Sequence, residues 1–221
     1  MDYLPLLPIL LFSVVIHEIS HGWMALKLGD PTARDLGRLT LNPIPHIDPV
    51  GSILVPAISI LSAGTVFIAW AKPVPVNPLN FRDLRRDDIL VSVVGPLSNL
   101  VVALACVFLY VIVERTIGPV ETMADGLGRE AASFLLTMAS FGIRINIFLA
   151  VFNLLPVPPL DGSHVVASLL PPEAGERFRR IGFFGIFIIL FLMNVPEFRS
   201  GVLGIVRLIE TPYDLLIEAL L

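Results

Sequence analysis

The stretch Ile89–Val113, ILVSVVGPLSNLVVALACVFLYVIV, runs for 25 residues without a charged side chain. A helix needs about 20 predominantly apolar residues to cross the hydrocarbon of a bilayer, so this segment alone restricts the chain to a membrane setting. Val50–Ala71 has no charge over 22 residues, and Ala131–Leu155 carries only Arg144. Across all 221 residues, 55% are hydrophobic, 15% are charged, and the mean hydropathy is +0.84. Soluble domains do not carry this much apolar surface. In lipid each backbone N–H and C=O must be satisfied within its own segment, which selects helices over open strands. The expected fold is therefore an all-α polytopic membrane protein with four to six membrane helices, forming a single domain over residues 1–221.

The first helix is expected over Leu4–Leu28, ending at Gly29-Asp30-Pro31, with Pro5 and Pro8 in opening turns that tolerate proline. The acidic start MDYLPLLPILLF lacks the basic region and small-residue cleavage site of a signal peptide. Next, GRLTLN alternates apolar and polar residues and predicts a short strand within a loop element. Later helices are expected over Ile89–Val113, Ala131–Leu155 and Ile181–Val195, followed by a C-terminal segment within 181–221 that spans or lies on the surface.

Lys and Arg accumulate on the cytoplasmic side of membrane proteins. Strict alternation of spans puts Lys27, Arg34 and Arg38 opposite Lys72, Arg82, Arg85 and Arg86. Reading 50–71 as a re-entrant hairpin, with Gly51, Pro56, Ser59, Ser62 and Gly64 breaking it, puts all seven on one side with Arg177, Arg179 and Arg180. The hairpin is the expected topology, with the N-terminus outside. Cys106 is the only cysteine, so no intrachain disulfide and no multi-cysteine metal site can form. No basic stripe points to nucleic acid.

Within the first apolar run stands His17-Glu18-Ile19-Ser20-His21. Helix positions i and i+4 share a face, so both imidazoles can reach one metal ion, with Glu18 beside them to take a proton from water. Each ionisable group at membrane depth costs about 2.5–3.5 kcal/mol on insertion scales, so three together imply a use. Catalytic zinc typically has three protein ligands. His46, His164 and the acids are all open as the third. The segment FNLLPVPPLDGSH singles out Asp161, a carboxylate beside a proline-broken helix end of the kind that lines a cavity at depth.

H-E-x-x-H in an early membrane helix, Gly95-Pro96-Leu97-Ser98-Asn99 in a middle one, and N-x-x-P-x-P-x-L-D-G from Asn153 to Gly162 together resemble the site-2 protease family of intramembrane zinc metalloproteases, of peptidase M50 type. The resemblance covers His17–His164, and the short chain is similar to the small, core-only members. It implies one zinc ion per chain held by His17, His21 and Asp161, Glu18 as the base, and Asn153 near the reacting carbonyl. It also implies that the H-E-x-x-H and L-D-G helices run in the same direction.

His164, three residues past Asp161, is expected to support a ligand rather than to be one, because water needs an open position. Asn99 and Asn146 are expected chiefly as helix–helix hydrogen-bonding groups. Asn146 is seven residues before Asn153 and shares its face, so both can line the cavity. His46 and Asp48 are expected in a turn, and Arg144 against a carboxylate or a wet cavity. The expected function is hydrolysis of peptide bonds within or near transmembrane segments of membrane proteins. The partners are that substrate protein or peptide and the lipid bilayer, with no nucleic acid and self-association left open. The location is the bacterial inner membrane. The competing reading is a membrane metal-ion transporter or metal-binding channel, which needs intramembrane His and acids but not a base beside two ligands.

Overall fold

The computed structural model describes residues 6–54, 70–118 and 120–221. Helix α1 covers Leu7–Leu28, with proline in its first turn. It stops at Gly29, whose φ of 114° lets its N–H turn back to the last helical carbonyls. A single turn, α2 (Thr32–Asp35), follows. Asp30, between them, is buried. It accepts hydrogen bonds from the Thr32 N–H and hydroxyl, the Asn77 N–H and the Asn80 amide. Burial opposes its ionisation, but these donors outweigh that and hold its carboxyl below the usual carboxylate range. It thereby ties the end of α1 to the loop before the next helix.

Helix α3 covers Leu84–Ile117. It starts five residues before the apolar run because Asp83 caps it, accepting from the N–H groups of Arg85 and Arg86. Pro96 lies inside it and is buried. Helix α4 covers Leu127–Asn153, α5 Asp161–Leu169, α6 Pro172–Arg179, α7 Gly185–Asn194 and α8 Pro196–Leu220. Helices α1, α3 and α4 are each long and apolar enough to cross a membrane. At 10 residues, α7 rises about 15 Å, half of a bilayer's hydrocarbon. With the turn before it, α7 forms a pair with α8 bent by 93°, which counts as a fourth span at most. The C-terminal segment expected to span or to lie on the surface is thus this bent pair.

The core lies between α3 (Val102, Cys106, Val107, Val111), α4 (Ile143, Ile147, Val151) and α8 (Val202, Val206), with Ile9 and Ile16 of α1 against it. Cys106 packs on Gly142, where an added Cβ would come within 2.6 Å of its sulfur. A small residue here lets α3 and α4 approach closely. Tyr213 donates to the Leu100 carbonyl, fastening α8 to α3. Arg144 does meet a carboxylate: its guanidinium lies 3.3 Å from Glu210 on α8.

Two expectations need comment. The strand expected at GRLTLN is not formed, and no strand occurs among the described residues. The stretch is pinned by side chains instead of a ladder: Arg38 donates to the Lys72 and Pro73 carbonyls, Leu39 packs over Gly22, and His46 bonds the Thr40 carbonyl. Alternation therefore reflects two contacting faces without strand pairing. The re-entrant hairpin falls largely on residues 55–69, outside the described residues. Its flanks, however, meet: Trp70 N–H donates to the Gly51 carbonyl and Ser52 Oγ to the Trp70 carbonyl.

Candidate metal centre

The residues Ser13, His17 and His21 follow each other at every fourth position on α1 and are all buried. They form its inward stripe. His21 Nδ1 donates to the Val91 carbonyl of α3 at 2.7 Å, and His17 Nδ1 to Asn99 Oδ1 of α3 at 3.3 Å. A carbonyl can only accept, so the proton of the neutral His21 ring sits on Nδ1 and its lone pair on Nε2. The same holds for His17 facing the Asn99 oxygen.

Those two Nε2 atoms face each other at 3.0 Å. Asp161, which opens α5, brings Oδ2 to 3.2 Å from His17 Nε2 and 3.4 Å from His21 Nε2. That oxygen is buried and makes no well-directed hydrogen bond. With both rings neutral and protonated at Nδ1, three electron-pair donors face one another, an arrangement that a cation would join. Two ligands at about 2.0–2.1 Å in a tetrahedral set lie roughly 3.3 Å apart, which the three separations bracket. Among the described residues this is the one group of three or more His, Cys, Asp or Glu side chains able to hold an ion.

Backbone shape completes the cradle. An added Cβ on Gly95 of α3 would lie 2.3 Å from His21 Nε2 and 2.8 Å from His17 Cε1. Only glycine lets α3 pass this close to both rings. Gly22 does the same on the other side, where an added Cβ would meet Leu39 and Val74 at 2.7 Å. Glu18 follows His17 directly, and its Oε2 accepts the Val74 N–H at 2.7 Å. A backbone amide, invisible in a motif, fixes this carboxylate.

The pattern of peptidase family M50 matches residues 111–193, a stretch that includes Asn153 and Asp161. "Putative zinc metalloprotease YwhC" of Bacillus subtilis is 39% identical over 199 residues, covering 87% of this chain and 83% of that one. The chain belongs to peptidase family M50. "Putative zinc metalloprotease Rip2" of Mycolicibacterium smegmatis is 28% identical over 186 residues, covering 84% of this chain and 65% of that one. Its Mycobacterium tuberculosis H37Rv namesake is 27% identical over 196 residues, covering 89% and 69%. No solved structure matches the chain.

Against the M50 motifs, the remaining expected residues separate. Asn99 is the partner of a candidate ligand, a closer role than helix pairing. Asn146 is a helix-pairing group: it donates to Ser13 Oγ and to the Gly142 carbonyl, both at 2.8 Å. Asn153 is half-buried at the end of α4 and donates to the Leu149 carbonyl. His164 is not one of the converging ligand residues; its Nδ1 lies 3.6 Å from Asp88 Oδ1 on α3. His46 is buried, its carbonyl accepting the Lys72 N–H and its Nε2 bonding Thr40, so it pins the loop. Asp48 caps the turn Pro49–Leu54 through the Val50 and Gly51 N–H groups.

Proposed function

We propose that this integral membrane protein is a zinc endopeptidase of the site-2 protease type, one domain over 1–221, which hydrolyses peptide bonds within or near transmembrane segments of membrane proteins. The observation that carries the reading is the convergence of His17 Nε2 and His21 Nε2, on a helix that can span a membrane, with Asp161 Oδ2 at the start of α5, and with Glu18 adjoining. The donor set of two neutral imidazoles and a carboxylate fits zinc and leaves a position open. The family membership and the names of the relatives agree with it. The bacterial relatives favour the inner membrane of a bacterium as its location.

The three residues would hold one ion per chain. Bound there, zinc supplies a Lewis acid that brings the pKa of water toward about 7 and polarises the scissile carbonyl. Glu18 accepts the proton of the attacking water and returns it to the leaving amine, base first and acid second. The Val74 amide holds one of its oxygens, so the other carries the proton traffic. Asn153 is assigned to the substrate carbonyl by the N-x-x-P-x-P-x-L-D-G pattern, exchanging its bond to Leu149 for one to substrate. Both histidines are buried, and the Asp161 side chain is 20% exposed.

The test is Glu18→Gln assayed on a transmembrane-segment substrate in lipid, with bound zinc measured in parallel. Zinc is retained and cleavage falls by about 10²–10⁴ or more, the contribution of a positioned acid–base group. Parental cleavage would remove Glu18 from the mechanism. Zinc flux into vesicles that survives the substitution, without cleavage by the parent, would turn the reading toward a transporter.

A further inference from the structure

We propose that Asp88 is a positioning residue for the metal centre, acting through the short helix that carries Asp161. The inference rests on the reading of His17, His21 and Asp161 as ligands. The two histidines lie well inside a helix of 22 residues. Asp161 instead opens α5, a helix of nine residues, which is too short to keep an orientation of its own. Where its carboxylate points depends on what α5 is fastened to.

Asp88, in the second turn of α3, is the fastening. It is only 5% exposed. Its Oδ2 accepts from Ser168 Oγ of α5 at 2.6 Å and from the Arg179 guanidinium of α6 at 2.8 Å. The same Arg179 nitrogen also donates to Ser168 Oγ at 3.0 Å. His164 of α5 approaches the other carboxylate oxygen at 3.6 Å. A buried carboxylate with a charge-assisted partner resists displacement, because breaking one arm leaves an uncompensated charge. Two turns of α5 beyond Asp161 are thereby locked to α3.

The position of Asp88 on α3 gives this lock its meaning. Asp88, Val91, Gly95 and Asn99 are spaced by three, four and four residues and share one helical face. Val91 orients His21, Asn99 orients His17, and Gly95 makes room for both rings. Asp88 adds the third ligand, through α5, to the same stripe. One face of α3 therefore serves as the common reference for all three donors. Movement of α5 relative to that face would change the Asp161-to-imidazole distances and nothing in α1.

The experiment uses the full chain, stripped of metal in detergent and titrated with Zn²⁺ against a chromophoric chelator. The visible spectrum of the Co²⁺-loaded protein and the helicity and thermal unfolding of the metal-free protein are read alongside. Asp88→Asn weakens zinc binding by about 10–100-fold, as losing a group that orients a ligand does. It also lowers the tetrahedral Co²⁺ absorption. Ser168→Ala, a milder change, weakens zinc by about threefold or more in the same direction. A role confined to stability would lower the unfolding temperature of the metal-free protein and leave affinity and spectrum alone. That result in Asp88→Asn, or in Ser168→Ala should Asp88→Asn fail to fold, overturns the proposal. Failure of the parent to bind zinc, or parental binding by Asp161→Ala, would overturn the ligand reading itself and is a different result.

Discussion

Asn99 on α3 and Asn146 on α4 are both fully buried, both amides, and both aimed at the inward stripe of α1. They meet that stripe one turn apart, and the turn decides what each does. Asn99 meets His17 and sets the direction in which its lone pair points. Asn146 meets Ser13 and joins two helices. The difference teaches that a buried polar group in a membrane protein is explained by its partner and not by its burial. One layer of the helix bundle serves the metal centre, and the next holds the bundle together.

The sharpest way to break this division is a pair of glycines, one in each layer. Gly95→Ala puts a methyl within 2.3 Å of His21 Nε2, while Gly142→Ala puts one within 2.6 Å of Cys106 Sγ. Alanine is the better helix former by about 1 kcal/mol, so neither change harms its helix intrinsically. In Gly95→Ala both rings must turn, although their Nδ1 atoms are tied to Val91 and Asn99. Zinc affinity is expected to fall to or beyond the far end of the roughly 10–100-fold range for disturbed ligand support, with helicity kept. Gly142→Ala is expected to cost about 1–3 kcal/mol by overpacking, to leave zinc affinity alone, and to be relieved by Cys106→Ala. Zinc titration and thermal unfolding of all three variants decide it. A loss of affinity in Gly142→Ala would erase the distinction between the layers.

The asparagines give the second, smaller contrast. Asn99→Ala is expected to weaken zinc by about tenfold or more, because His17 loses the group that fixes its tautomer. Asn146→Ala is expected to lower stability by about 0.6–2 kcal/mol, the range for buried interhelical hydrogen bonds, with parental zinc affinity. Equal effects on zinc would mean that the bundle as a whole, and not the ligand-facing stripe, sets the site.

The sequence made one half of this contrast readable. Long uncharged runs fixed the spanning helices, because lipid leaves the backbone no alternative. His17 and His21 were visible because such groups are costly in such a run. Asp161 was singled out by the proline-broken helix end before it and by the family resemblance, and the structure brings the three donor atoms together. The supporting groups were not visible, for particular reasons. The Val74 amide that holds Glu18 belongs to the backbone and has no residue signature. Asn99 and Asn146 have the same side chain in similar surroundings, and only the rotation of their helices separates them. Asp88 was hidden in a charged stretch, Arg85–Asp88, that reads as a loop until Asp83 caps it into α3. His164 was expected to support a ligand, and nothing in the L-D-G segment points to the Asp88 carboxylate that its ring approaches. The spacing from Asp88 through Gly95 to Asn99 was the one available clue, and it needs the true start of α3 to be seen.

The smallest effect belongs farthest from the metal layer. Arg144 of α4 pairs with Glu210 of α8, and its own side chain is 75% exposed. An exposed pair in water contributes about 0–1 kcal/mol. At membrane depth an unpaired Arg or Glu costs more than it would in water. A double-mutant cycle with Arg144→Gln and Glu210→Gln separates the two settings. Each single change leaves one charge without its partner and is expected to lower the unfolding temperature, while the double change recovers most of the loss. Coupling near zero would place the pair in water and would take α8 out of the spanning set. Coupling clearly above 1 kcal/mol would place it at depth. Zinc affinity is expected to stay parental in all three, because α8 meets the bundle through Val202, Val206 and Tyr213 and supplies no side chain to the Asn99–His17 contact.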